Sequence, residues 1–199
     1  MGLLGFAIAM AATPGPNNMM AAASGATYGM GRSLPLSAGI ATGVAAIMLV
    51  VAAFGSAVVT DPRIGAMLKW IGVLYLLWLA WKVGNAEPVV HEEETTKPAR
   101  DGSPLSFLDG ALFQLVNPKL WVMVSGAVVT YGQGANAGRM NLAFLFATVF
   151  GMATFISVLG WTALGASIGR LLSSRRSIRV FNIAMAALLI VSLIPIVIE

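Results

Sequence analysis

Thr13-Pro14-Gly15-Pro16-Asn17-Asn18 interrupts an apolar run that reaches from Gly2 to Ala26 without a charge. A run of that length is enough to cross hydrocarbon as a helix, for which about 20 residues suffice. Proline removes an amide donor and its ring clashes with the carbonyl four residues back, so the pair at 14 and 16 breaks any helix that holds them. In lipid, the carbonyls freed before the break and the amides freed after it must be paired by protein, water or a solute. The stretch therefore predicts a broken membrane helix.

The rest of the chain supports a membrane setting. Of its 199 residues 58% are hydrophobic and 10% are charged, with mean hydropathy +0.84, whereas soluble domains average about 25% charged. Apolar runs bounded by charge, Gly and Pro predict six spans: Gly2–Ala26, Leu34–Val59, Ile64–Gly84, Leu105–Thr130, Met140–Gly169 and Ile178–Ile198. The first lacks the basic start of a signal peptide and is read as a retained helix. Asn85–Pro104, which holds Glu87, His91, Glu92, Glu93, Glu94, Lys97, Arg100 and Asp101, is too polar and short to bury a core and is expected to be a linker. The expected fold is thus all-α and integral to the membrane. A first three-helix repeat spans residues 1–84, a linker 85–104, and a second repeat 105–199.

Cytoplasmic loops retain Lys and Arg. Arg32, Lys82, Lys97, Arg100, Arg170, Arg175, Arg176 and Arg179 lie on one predicted side, against Arg63, Lys69 and Arg139 on the other. Both termini are therefore expected outside and the linker in the cytoplasm. The net charge of +4 reports this topology and does not suggest nucleic acid as a partner. The absence of cysteine removes disulfide, zinc-thiolate, iron–sulfur and thiol-nucleophile chemistry, and His91 alone cannot form a histidine cluster.

The twelfth basic residue, Lys119, lies 14 residues into the fourth span, about 21 Å along a helix axis. That is deep in a core of about 30 Å. It follows a second break, Asn117-Pro118-Lys119. Ser24-Gly25-Ala26-Thr27-Tyr28-Gly29 after the first break is echoed by Ser125-Gly126-Ala127 and Thr130-Tyr131-Gly132 after the second. Because each half has an odd number of spans, the second copy enters from the opposite face, giving a 3+3 inverted-topology repeat with helices 1 and 4 broken. Substrate sites of such transporters lie near the midplane where paired helices are interrupted.

The candidate substrate-binding residues are Thr13, Pro14, Gly15, Pro16, Asn17, Asn18, Asn117, Pro118 and Lys119. Amides at a half-helix N-terminus suit a carboxylate and freed carbonyls suit an ammonium, so a zwitterion fits both. Asn17 is also a candidate cap for the second half-helix. Lys119 has three open roles: attracting the carboxylate, exchanging with a carboxyl group or proton during coupling, or being pinned to carbonyls of the first span. Asp109 is either a proton-carrying coupling residue or a solvated helix-end acid. The spacings Gly39/Gly43 and Gly165/Gly169 let helices approach closely, within the fold or across a homodimer contact. Trp70, Tyr75, Trp78 and Trp81 read as interfacial anchors of the third span.

Three separated stretches resemble the LysE/RhtB amino-acid exporter family: Thr13-Pro14-Gly15-Pro16-Asn17, Leu68 to Lys82 (LKWIGVLYLLWLAWK), and Phe107 to Lys119 with Gly110 and Asn117-Pro118-Lys119. The resemblance covers nearly the whole chain in order. It implies a bacterial inner-membrane exporter that moves amino acids or close derivatives outward, driven by the proton gradient. Only 12 residues precede Thr13, fewer than is usual in that family, which leaves the completeness of the N-terminus open. The alternative is an exporter of a metal or other inorganic ion, which needs several intramembrane carboxylates, histidines or thiols. An intramembrane enzyme would require a nucleophile beside a base, and Ser125 lies six residues from Lys119, not a neighbouring helical spacing. No cofactor is expected.

Overall fold

The computed structural model describes residues 2–54, 62–86, 103–132, 138–171, 175–191 and 193–194, and every element among them is a helix. The first apolar run folds as two pieces, α1 (Leu3–Ala12) and the opening of α2 (Pro16–Phe54). Pro16 heads α2, a position where a missing amide costs nothing. α2 is not one straight rod, because Gly29 has φ +79° and ψ 169°, a backbone region open to glycine alone. Ser24 Oγ and Ser33 Oγ lie 2.8 Å apart, where nine residues of unbroken helix would span about 13.5 Å. A single glycine thus reverses the chain, and the second arm begins at residue 30 rather than at Leu34.

Then follow α3 (Pro62–Gly84), α4 (Phe107–Val116), α5 (Pro118–Tyr131), α6 (Arg139–Leu171) and α7 (Arg175–Val191). By length and composition α2 and α6 qualify to cross a membrane, and α4 with α5, bent by 64° at Asn117, qualifies as a third span when counted together. Most of the expected linker, including His91 and Glu92 to Glu94, lies outside the described residues.

Contacts set the directions. Phe6 meets Phe150 edge-on, Ser157 donates to the Ala11 carbonyl at 2.8 Å, and Gly165 and Gly169 press on the backbone of Ala22 and Ala26. Residues 3–28 therefore run parallel to α6. The 30–54 arm runs against it, with Gly151 beside Ala45 and Ser37 within 3.1 Å of Thr162. α4 follows that arm, Gly39 lying on Phe107 and Gly43 on Ala111. On α5, Lys119 reaches Thr13 while Tyr131 packs on Phe6. The two broken segments accordingly run antiparallel. A Cβ on Gly39, Gly43, Gly165 or Gly169 would strike neighbouring backbone, so both glycine pairs join helices within this chain.

Two apolar clusters fill the interior. One holds Met20, Leu36, Ile40, Leu76, Leu79, Phe113, Val158 and Leu189; the other holds Ala7, Val44, Met48, Leu120, Met123, Phe146, Phe150 and Ala153. Four segments pass from one to the other over a short interval, Ala7 to Met20, Ile40 to Val44, Phe113 to Leu120 and Ala153 to Val158, while α3 and α7 pack on the first cluster. The proline breaks fall in those intervals, so they share one level of the fold. Arg32, Lys82 and Arg170 gather at the end beyond the first cluster and Arg139 at the opposite end. Trp70, Leu74 and Trp81 present the outer face of α3, as for a helix facing lipid. Tyr75 instead turns inward, stacking on Phe113 at 5.2 Å and donating to the Asp109 carbonyl, and so is not an interfacial anchor.

Candidate functional site

At the level between the clusters the freed backbone of the first break finds partners. Asn18 Nδ2 donates to the carbonyls of Ala11 (2.9 Å) and Thr13 (3.0 Å), which bends the chain back over its own break. Lys119 Nζ donates to the same Thr13 carbonyl at 2.5 Å, tying the second break to the first. Gly15 is what lets it arrive: a Cβ there would sit 2.8 Å from Lys119 Cδ and 3.1 Å from Nζ. The Thr13 hydroxyl is turned away, onto the Ala9 carbonyl.

The second break is treated the same way. Pro118 opens α5 and Asn117 links the two half-helices. Leu115, whose carbonyl lies four residues before Lys119, accepts from the Trp121 indole at 2.9 Å. Across the gap Asn17 and Gln114 form a reciprocal amide pair, Asn17 Nδ2 to Gln114 Oε1 at 3.1 Å and Gln114 Nε2 to Asn17 Oδ1 at 2.9 Å. Gln114 Nε2 also donates to the Gly110 carbonyl (3.0 Å), and Asn117 Nδ2 donates to Gln114 Oε1 (3.0 Å). Gln114 and Asn117 are buried. Asn117 Oδ1 is buried and has no hydrogen-bond partner.

Beside this layer lies a cleft lined by Met10, Gly15, Asn17, Asn18, Asn117 and Lys119, closed on the apolar side by Val44, Leu120, Met123 and Thr154. Its apolar wall belongs to the second cluster, so Met20, Ile40 and Phe113 of the first seal the level from the other side. The cleft offers one ammonium, several amides and backbone carbonyls. Among the described residues no acid pairs with Lys119, and no group of three or more His, Cys, Asp or Glu could hold a metal.

Of the residues expected from sequence, Gly15, Asn17, Asn18, Asn117 and Lys119 meet at the cleft. Thr13 contributes its carbonyl, while Pro14, Pro16 and Pro118 shape the breaks. Asn17 makes its bonds across the gap rather than to an amide of its own helix. Asp109 is elsewhere: it closes a capping box with Ser106, accepting from the Ser106 amide at 2.7 Å and hydroxyl at 2.9 Å. Gln114 and Thr154 were not anticipated. The usable signal was a polar residue inside an apolar membrane run, which is a functional hypothesis by default. The same signal would have found Asn182, fully buried on α7, which donates to Thr27 Oγ1 at 2.9 Å and to the Ala86 carbonyl at 3.3 Å.

No solved structure matches the chain. A cysteine/O-acetylserine efflux protein of Escherichia coli O157:H7 is 31% identical over 186 residues, covering 93% of this chain and 90% of that one. A protein of the same description from Klebsiella pneumoniae is 36% identical over 129 residues, 64% of this chain, which spans 62% of the Klebsiella protein. The family model described as LysE type translocator matches residues 8–194. With both proline breaks and helices α2 to α7 inside that match, the chain belongs to the LysE type translocator family.

Proposed function

We propose that the chain is a secondary transporter that exports amino acids or close derivatives across the bacterial inner membrane, with the substrate held between the two broken helices. The observation that carries this is the meeting of Thr13, Gly15, Asn17 and Asn18 from the first break with Gln114, Asn117 and Lys119 from the second, at one level between two apolar clusters. A carboxylate suits Lys119 Nζ and the Lys119 amide in the first turn of α5; an ammonium suits the carbonyls freed at the first break. Relatives described as cysteine/O-acetylserine efflux proteins support a small amino-acid cargo.

Residues 3–28, the 30–54 arm and α3 make one half of the machine, and α4 with α5, α6 and α7 the other. The antiparallel run of the broken segments supports an inverted repeat, and rocking of one half on the other alternates access to the site. The end bearing Arg32, Lys82 and Arg170 is cytoplasmic by the distribution of positive charge, with both termini outside. Export draws on the proton gradient. Lys119, half-buried at the site, is the coupling residue, and Asp109 anchors the start of α4.

The test is a mass-spectrometric survey of amino acids released by peptide-fed cells carrying the wild-type chain, Lys119→Ala or an empty vector. Release of one class of amino acid by the wild type alone, with the variant at normal membrane level, is expected. Identical release from all three, with the wild type well expressed, refutes the proposal.

A further inference from the structure

Asn117 is the one described residue with a buried side-chain polar atom that has no partner, and it lines the cleft. Which of its two ends is unpaired is dictated by a chain of bonds that begins at the backbone. The Gly110 carbonyl can only accept, so the end of Gln114 that lies 3.0 Å from it must be Nε2. Gln114 therefore turns Oε1 toward Asn17 and Asn117, and each must answer with an N–H. Asn117 has then committed Nδ2 to Gln114, and what remains on it is an oxygen. A buried oxygen with no donor is an unfavourable arrangement that a ligand donor relieves.

We infer that Asn117 Oδ1 receives the α-ammonium of the substrate and that Gln114 is the positioning residue which keeps that oxygen, not the amide nitrogen, available. The inference rests on the exporter reading of the same site. On binding, the substrate carboxylate draws Lys119 Nζ from the Thr13 carbonyl, and the ammonium is shared between that carbonyl and Asn117 Oδ1. Both groups only accept, so the site selects compounds with a charged, free amine. An N-acylated amino acid keeps its carboxylate but brings a neutral amide with one N–H, and is rejected. An N-methylated one keeps the charge and two N–H donors, and is retained despite its extra carbon.

The chain is reconstituted in proteoliposomes, and counterflow of labelled O-acetylserine is measured at mildly acidic pH with unlabelled serine, N-methylserine or N-acetylserine as competitors. Serine and N-methylserine are expected to compete within about threefold of each other, and N-acetylserine at least about tenfold more weakly. Equal competition by all three, or rejection of N-methylserine as strong as that of N-acetylserine, overturns the inference while leaving the exporter reading intact. Absence of counterflow above protein-free vesicles both for O-acetylserine and for the amino acid found in the release survey refutes the exporter reading itself, and the inference falls with it. In Gln114→Leu, where Asn117 is free to turn its nitrogen toward the ligand, the KM for O-acetylserine is expected to rise about tenfold with kcat little changed, and the preference against N-acetylserine to shrink. An unchanged KM and preference in that variant overturns the positioning role. The competitor series on the wild type decides the ammonium assignment even if the variant does not fold.

Discussion

Replacing Gln114 by Leu should cost far more stability than replacing its partner Asn17 by Leu, although each change removes the same reciprocal pair. In Asn17→Leu both ends of Gln114 keep a partner, Nε2 on the Gly110 carbonyl and Oε1 on Asn117 Nδ2. The loss is two interhelical hydrogen bonds, worth about 0.6 kcal/mol each in membrane proteins, or about 1 kcal/mol together. Gln114→Leu removes those two bonds and the bond to the Gly110 carbonyl, and also leaves Asn117, a buried residue, with its nitrogen as well as its oxygen unpaired. An orphaned buried group costs about 1–3 kcal/mol, which brings the total to about 3 kcal/mol. Asn17, half-buried at the cleft, is rehydrated in that variant. The double variant should therefore be about as stable as Gln114→Leu alone, a strongly non-additive cycle. Unfolding in mixed micelles, followed by fluorescence of the chain's five tryptophans, gives all four corners. Equal costs for the two single changes, or costs that simply add, would refute the assignment of Gln114 as the hub of the layer.

Three further outcomes follow from named contacts. Gly15→Ala places a Cβ against the flexible end of Lys119, so the lysine moves and the fold does not; stability should change by less than about 1 kcal/mol while the release assay shows a large loss of export. Gly29→Ala meets no neighbour but forces φ +79° on a residue with a Cβ, and the same unfolding titration should register a loss of about 1–3 kcal/mol. Asp109→Asn keeps an oxygen able to accept from Ser106, so export should stay within about twofold of wild type; abolished export would make Asp109 the coupling carboxylate.

The breaks were readable because proline acts through its own covalent structure: Pro14, Pro16 and Pro118 remove donors wherever the surrounding helix sits. Lys119 was equally plain, since a lysine at that depth has few uses. Its partner was not, because a backbone carbonyl leaves no trace in a one-letter sequence; of the three roles foreseen for Lys119, attachment to the first span is the one its contact matches in this state. Gly29 could not be singled out from Gly25 and Gly31, since all three look alike until a dihedral angle distinguishes them. Gln114 and Asn182 draw their meaning from residues 97 and 155 positions away, a relation that no local window contains. Asp109, by contrast, was locally decidable: Ser106 three residues before it, at the start of an apolar run, has the spacing of a capping box.

Because the chain contains no cysteine, a single thiol can report directly on the site. Thr154→Cys places one in the wall of the cleft, a size-conserving change outside the amide layer. The rate at which a small thiol reagent labels it is measured with and without an excess of the amino acid that the release assay identifies, beside Ser167→Cys on the exposed face of α6 as a control. Protection of the thiol at position 154, with none at position 167, is the predicted result. Equal labelling at position 154 with and without the transported amino acid would contradict a substrate site between the two broken helices.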